Sequence, residues 1–193
     1  MKIVIIDYGA GNVFSVRMAL KRLGYEATVS DDAAVIERAA RVIFPGVGQA
    51  AAAMEQLRKK GLDRVMSGLE MPVLGICLGM QLMCESTEEE STEGLGIFPV
   101  QVKKIEGVQK VPHMGWNSIN GLKASVFDCI EEGEKMYFVH SFYVPVNEYT
   151  VAECDYHRPF TAVMKKDNFL GCQFHPEKSA GSGACFLRNF LTQ

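Results

Sequence analysis

No stretch of this 193-residue chain reaches the roughly 18 consecutive apolar residues of a membrane span. The opening Met1-Lys2-Ile3-Val4-Ile5-Ile6-Asp7 is too short for a secretory signal and meets Asp7 at once, so a first strand is expected there. Basic charge is not in excess: 20 Lys and Arg stand against 23 Asp and Glu, a net charge of −3, and no nucleic-acid partner is expected. Internal repeats and low-complexity linkers are missing too. At this length one domain, residues 1–193, is the expectation, with a core of ordinary size from 48% hydrophobic residues. The six cysteines, at 77, 84, 129, 154, 172 and 185, include no Cys-x-x-Cys pair. Cys154 with His157 and Cys172 with His175 have Cys-x-x-His spacing, but neither has a matching second half, so no metal is expected. Dispersed, buried thiols in a reducing cytoplasm are expected instead. Gly9-Ala10-Gly11 begins like a dinucleotide-binding turn, but Phe14 stands where its third glycine belongs. Val29-Ser30 closes the second strand without an acidic residue, and no cofactor is expected.

What is present is Gly75-Ile76-Cys77-Leu78-Gly79. The run from Pro72 to Ile76 reads as a short buried strand, and Gly79 to Cys84 as the start of a helix. A reactive residue flanked by glycines at a strand-to-helix turn is the nucleophile-elbow pattern, here with Cys in place of Ser. The glycines leave room for the sharp turn. Backbone N–H groups at the helix start then face the sulfur and any oxyanion formed beside it, a setting that suits a thiolate.

A cysteine nucleophile needs a base. Of the four histidines, His175 follows the strand-like Phe169-Leu170-Gly171-Cys172-Gln173-Phe174, and Glu177 lies two residues on. Alternation along an extended chain puts positions i and i+2 on one side, so Glu177 is expected to orient His175. Cys77, His175 and Glu177 then supply nucleophile, base and orienter for acyl transfer. Both Cys77 and His175 fall at the ends of apolar strands, where open α/β sheets carry their sites.

The first half alternates strand and helix. Strands are expected over Lys2–Asp7, Tyr25–Val29, Arg41–Phe44 and Val73–Cys77. Helices are expected over Asn12–Leu23, Ala33–Ala40, Gln49–Lys60 and Leu62–Ser67. Gly24 ends the first helix, Asp31-Asp32 caps the second, and Pro45-Gly46-Val47-Gly48 forms a tight loop. The acidic stretch Glu85–Glu93 reads as a loop. Strand-like runs follow at Gly96–Ile105, Val111–Ile119, Lys135–Val146, Val151–Asp155, Phe160–Lys166 and Phe169–His175. Asp167-Asn168 reads as a turn, Phe127–Glu131 as one helical turn and Gly181–Leu191 as a closing helix. The expected fold class is α/β: a doubly wound, mostly parallel sheet with antiparallel strands added in the C-terminal half.

These residues resemble the class I (triad) glutamine amidotransferase family over essentially the whole chain. Gly75-Ile76-Cys77-Leu78-Gly79-Met80-Gln81 is similar to its nucleophile motif, His175-Pro176-Glu177 to its His-x-Glu motif, and Pro45-Gly46-Val47-Gly48 to its oxyanion-side loop. Four further segments resemble the glutaminase subunits of imidazole glycerol phosphate synthases: Asp7-Tyr8-Gly9-Ala10-Gly11-Asn12, Pro112-His113-Met114-Gly115-Trp116-Asn117, Tyr137-Phe138-Val139-His140-Ser141-Phe142 and His175-Pro176-Glu177-Lys178-Ser179. The resemblance implies a flavodoxin-like fold. It implies that glutamine is hydrolysed to glutamate and that the ammonia passes to a separate (β/α)₈-barrel cyclase. There it is joined to a phosphorylated ribulosyl aminoimidazole carboxamide nucleotide in histidine biosynthesis.

By the same resemblance, backbone of Leu78 and of Gly46, Val47 and Gly48 holds the oxyanion, and Gln81 meets the substrate amide. Backbone at His140, Ser141 and Phe142 meets the α-carboxylate. Glu89 meets the α-amino group, with Glu85, Glu88 and Glu90 as alternatives in the same acidic loop. A peptide flip in the glycine-rich loop would make or break the oxyanion hole. Asn12, Met114, Trp116, Asn117 and Lys178 are the partner-facing candidates. Two other readings remain open at this point: a glutaminase subunit for anthranilate, aminodeoxychorismate or pyridoxal phosphate synthesis, and a non-catalytic regulatory module on the same fold.

Overall fold

The structure is a computed structural model that describes residues 1–107 and 110–193. The first half runs β1 (Ile3–Ile6), α1 (Val13–Arg22), β2 (Ala27–Ser30), α2 (Ala33–Ile36), β3 (Arg41–Gly46), α3 (Ala50–Lys59), α4 (Leu62–Ser67), β4 (Val73–Cys77) and α5 (Leu78–Leu82). The second half runs β5 (Cys84–Thr87), β6 (Thr92–Glu93), β7 (Phe98–Lys104), β8 (His113–Asn120), β9 (Lys135–His140), β10 (Phe142–Tyr143), β11 (Thr150–Asp155), β12 (Pro159–Lys166), β13 (Phe169–Cys172) and α6 (Ala180–Thr192). Among the described residues one sheet has nine strands in the order β2-β1-β3-β4-β13-β12-β11-β8-β9. Its first five strands are mutually parallel. The last four join by antiparallel pairing. A small second sheet, β10-β7-β5-β6, stands beside it.

β1 is apolar and buried at all four positions because helices cover both faces of the sheet there. Ile3 and Ile5 of β1 pack with Val16 and Leu20 of α1 and Phe186 and Leu187 of α6. The intervening Val4 and Ile6 pack on the other face with Met54 and Leu57 of α3 and Leu62 and Met66 of α4. No described helix is long and apolar enough to cross a membrane.

Several elements depart from the sequence expectation. The helix expected over Ala33–Ala40 stops at Ile36, because the Ala40 and Arg41 N–H groups turn to Lys2 O to start β3. The acidic stretch Glu85–Glu93 is not a loop: β5 and β6 occupy it, joined by a 3₁₀ turn at Glu89–Ser91. Its inward positions Cys84, Thr87 and Thr92 are buried, and burial of that face overrides the charge on the other. The run Lys135–Val146 is broken at Ser141, where the chain leaves β8 for β7 and Ser141 O accepts from Ile105 N at 2.9 Å. The last strand ends at Cys172 rather than His175, because the His175 N–H crosses to Tyr137 O of β9 at 2.9 Å. The helical turn expected over Phe127–Glu131 lies instead at Ser125–Phe127. The expectation of dispersed buried thiols fails for two of the six. Cys129 and Cys185 form a disulfide across 56 residues. They meet because Asn189 of α6 donates to Val126 O and Asp128 O, holding that helix against the loop before Cys129.

Candidate active site

Cys77 ends β4 and precedes the five-residue α5, and its φ of 53° marks the strained turn of a nucleophile elbow. The turn exists because glycines let α5 press onto the sheet. A Cβ on Gly79 would stand 2.0 Å from Phe44 O, and one on Gly46 would stand 2.5 Å from Gly79 N. A Cβ on Gly75 would meet Met80 N at 2.9 Å. The sequence pointed to the pair flanking Cys77. It did not reveal that Gly46, paired in register with Cys77, belongs to the same packing.

His175 is buried, and its Nδ1 lies 2.8 Å from Glu177 Oε1. The contact does not arise from alternation along a strand, as the sequence suggested. Pro176–Lys178 form a 3₁₀ turn, and that turn carries Glu177 back under the imidazole. Ser179 fixes the turn: its hydroxyl donates to His175 O at 2.7 Å and accepts from Tyr137 N at 2.9 Å. Burial disfavours the charged imidazole, but Cys77 and Glu177 together outweigh it and raise the His175 pKa from 6.5 to about 10. Of these two influences only the Glu177 contact is a formed hydrogen bond. His175 Nε2 is buried and makes none with any described residue.

Cys77 and His175 line one cavity of about 290 Å³. Val47, Gly48, Leu78, Gln81, Glu89, His140, Ser141 and Phe142, the candidates for oxyanion and substrate contacts, line it too. Gly46 and Glu177 lie behind the wall, and Pro112 and Val139 are lining residues that the sequence did not suggest. Glu89 is the acidic-loop residue that reaches the cavity. Its Oε2 accepts from Ala50 N at 2.8 Å, capping α3, whose own Gln49 provides no side-chain cap. Burial raises the Glu89 pKa, partly offset by that hydrogen bond. Glu88, by contrast, turns to Lys103 and Lys104 N. Tyr8, also unforeseen, is fully buried and donates to Pro45 O at 3.0 Å, holding the base of the Gly46–Gly48 loop.

The partner-facing candidates divide. Met114 and Trp116, on one face of β8, are 55% and 51% exposed. Lys178 is exposed with its Nζ 5.9 Å from the Tyr137 ring, which meets Trp116 edge-on. Asn12 and Asn117 are engaged within the chain. Asn12 caps α1 through Ser15 N, and Asn117 Nδ2 donates to Asp155 O at 2.7 Å. Phe14, 73% exposed on α1, was not foreseen. Among the described residues no cluster of His, Cys, Asp or Glu is arranged to hold a metal ion.

A thiol at a strained elbow and a buried His–Glu pair on the same pocket are the constellation expected of a cysteine acyl-transfer site. The chain belongs to the Glutamine amidotransferase class-I family, which it matches over residues 4–193. Within that family it is 53% identical to the imidazole glycerol phosphate synthase subunit HisH of Bacteroides fragilis (strain YCH46), covering 99% of each chain. It is 51% identical to the subunit of the same name from Bacteroides thetaiotaomicron, again over 99% of each. At these full-length identities it is a member of the HisH group. A crystal structure of a glutamine amidotransferase shares the fold, with a TM-score of 0.75 at 18% identity over 97% of this chain and 96% of that one.

Proposed function

We propose that this chain is the glutaminase subunit of an imidazole glycerol phosphate synthase, acting in the cytoplasm and passing ammonia to a (β/α)₈-barrel cyclase. The observation that carries the reading is the buried His175–Glu177 pair, with His175 Nε2 unpartnered on the cavity that Cys77 shares. The Cys77 thiolate attacks the side-chain amide carbon of glutamine. The resulting oxyanion sits among backbone N–H groups at Leu78 and the Val47-Gly48 loop, each such donor worth about 3 kcal/mol of barrier. The imidazolium of His175 gives its proton to the departing nitrogen, and ammonia leaves. Neutral His175 then takes a proton from water, which attacks the γ-glutamyl thioester. Glutamate departs, and the thiolate and imidazolium are restored.

A partner has a chemical reason. Ammonia in neutral water is mostly protonated and not nucleophilic, so it is best delivered through a closed passage. Met114 and Trp116, with Lys178 nearby, offer the exposed face on which a barrel would dock. Gly48 has a φ of 99° and open space around its Cα, so the loop beside the oxyanion is free to reorient when a partner binds.

The test is glutamate release from glutamine by this chain alone and with the cyclase barrel and its nucleotide ligand. Low release alone, rising by orders of magnitude in the complex, is expected. High release that ignores the barrel would point to another synthase or a free-standing glutaminase. Absence of release despite barrel binding would point to a regulatory module. Cys77→Ala is expected to abolish glutamine-dependent turnover while leaving ammonia-dependent turnover by the barrel intact.

A further inference from the structure

Gln173 lies between β13 and His175 and is completely buried, a polar side chain with a full set of hydrogen bonds to find. Its Oε1 accepts from Gln81 Nε2 at 2.9 Å, and its Nε2 faces Cys77 Sγ at 3.6 Å. The direction of this arrangement is set elsewhere. Gln81 Nε2 also donates to Phe142 O at 3.0 Å, and a backbone carbonyl can only accept. Gln81 must therefore turn its NH₂ group toward both Phe142 and Gln173. Gln173 must answer with its oxygen, and so its own NH₂ group is delivered to the sulfur. Phe142 O is held in turn by His140 Nδ1 at 2.8 Å. The chain is continuous and has one sense: Phe142 O receives from Gln81, whose partner Gln173 gives to Cys77.

We infer that Gln173 is a positioning residue for the reaction: it supplies an N–H to the Cys77 sulfur and fixes Gln81 so that Oε1 of Gln81 faces the substrate. This rests on the glutaminase reading. A thiolate accepts hydrogen bonds, so a fixed donor stabilises the attacking form of the sulfur without moving a charge into the pocket. The same amide leaves both N–H bonds of Gln81 occupied, and Gln81 lines the cavity with its oxygen uncommitted. One buried side chain thus gives the sulfur a donor, against the Val139 carbonyl that faces it at 3.7 Å, and sets the polarity of a substrate contact. A glutamine serves where a charged residue would not, because it is donor to one neighbour and acceptor to the other.

The test uses the rate of iodoacetamide alkylation at Cys77 against pH, read by mass spectrometry on the full chain, which needs no glutamine and no partner. Losing a hydrogen bond to a charged acceptor is expected to raise the midpoint for Gln173→Met by about one pH unit. Gln173→Glu, which sets a carboxylate beside the sulfur, is expected to raise it further. Gln81→Met removes the group that directs Gln173, so the midpoint should rise there also, and the rise should vanish in a Gln173→Met background. In the glutaminase assay with the barrel and its ligand, Gln173→Met is expected to lower kcat and raise KM about tenfold each, since it disturbs both nucleophile and contact. An unmoved alkylation profile in Gln173→Met and Gln173→Glu would overturn the inference, even with activity lost. Gln81→Met acting equally in both backgrounds would overturn the directional link. Shifted alkylation profiles with no glutaminase activity in the parent complex would sink the glutaminase reading and leave the contact to Cys77 standing.

Discussion

His113 Nδ1 donates to His140 Nε2 at 2.9 Å, and the direction follows from their surroundings. His140 Nδ1 faces Phe142 O and must carry the proton, which leaves Nε2 as the acceptor. His113 then uses its own proton at Nδ1, and Asn117 Nδ2 gives to His113 Nε2 at 3.3 Å. Both rings are neutral and buried, so the pair ties β8, near the exposed Trp116, to the Phe142 carbonyl at the cavity.

Keeping this pair neutral makes the fold sensitive to acid. Burial lowers the His113 pKa to about 4 and, with His113 and His175 nearby, the His140 pKa to about 3. Above the unfolded value near 6.5 neither state is protonated and stability is indifferent to pH. Below it the unfolded chain takes up protons that the folded chain refuses, so stability falls between about pH 6.5 and 3. Thermal unfolding followed over that range should show the loss, and His113→Gln should reduce the proton uptake on unfolding by about one. A slope unchanged by the substitution would show that the pair is not responsible.

Glu177 acts on His175 in the opposite sense. Burial works against the imidazolium, while Cys77 and Glu177 favour it and hold the pKa near 10. That contribution to stability is fully present below about pH 6.5 and is lost as pH rises through about 10. Glu177→Gln keeps an acceptor oxygen at Nδ1 but removes the charge. The alkaline limb of kcat is expected to move down toward neutrality, with a loss of about 100-fold at pH 8 from the weakened proton donor. A limb that stays in place would show that Glu177 only holds the ring.

The candidate triad was legible because its signals are local. Two glycines flank Cys77, and His175 and Glu177 lie two residues apart, so each motif sits inside one short segment. Even there the reason was misread, since a 3₁₀ turn and not strand alternation brings Glu177 to His175. Gln173, Tyr8 and Ser179 were not legible. Each acts through a neighbour distant in sequence: Tyr8 meets Pro45, and Gln173 meets Gln81 and Cys77. A glutamine inside an apolar strand was the one available signal, because a buried amide must find partners. The Cys129–Cys185 bond was invisible for the same reason, and the small sheet at Glu85–Glu93 was hidden by its outward glutamates.

The glycines around α5 make a graded prediction. A methyl at Gly79 would stand 2.0 Å from the Phe44 carbonyl oxygen, part of a central strand that cannot withdraw. A methyl at Gly171 would stand 2.5 Å from Met80 Cγ and 3.1 Å from Met80 Cβ, side-chain atoms that can shift in part where a strand carbonyl cannot. Gly79→Ala is therefore expected to lose about 3 kcal/mol or more in urea unfolding, and Gly171→Ala about 1–2 kcal/mol. Equal losses would mean that α5 moves as a body and does not rest on Phe44.

Trp116 and Asn117 are adjacent in sequence, but their side chains have different tasks. Trp116 is half exposed and meets the Tyr137 ring in an edge-to-face arrangement, centroids 6.0 Å apart. Asn117 is committed to Asp155 O, His113 and Ser118 N. If a barrel docks on β8, an exposed indole at the centre of the contact is the kind of anchor whose truncation costs about 2 kcal/mol or more, or roughly 30-fold in Kd. Trp116→Ala is expected to weaken complex formation by that factor with the melting temperature of the isolated chain unchanged. Asn117→Ala is expected to lower the melting temperature, since it strips a donor from the His113–His140 pair and from the Asp155 carbonyl. Calorimetric titration with the barrel and thermal melts of the free chain separate the two effects. A Trp116→Ala chain that binds the barrel with unaltered affinity would move the docking face away from β8, toward the exposed Phe14 on α1.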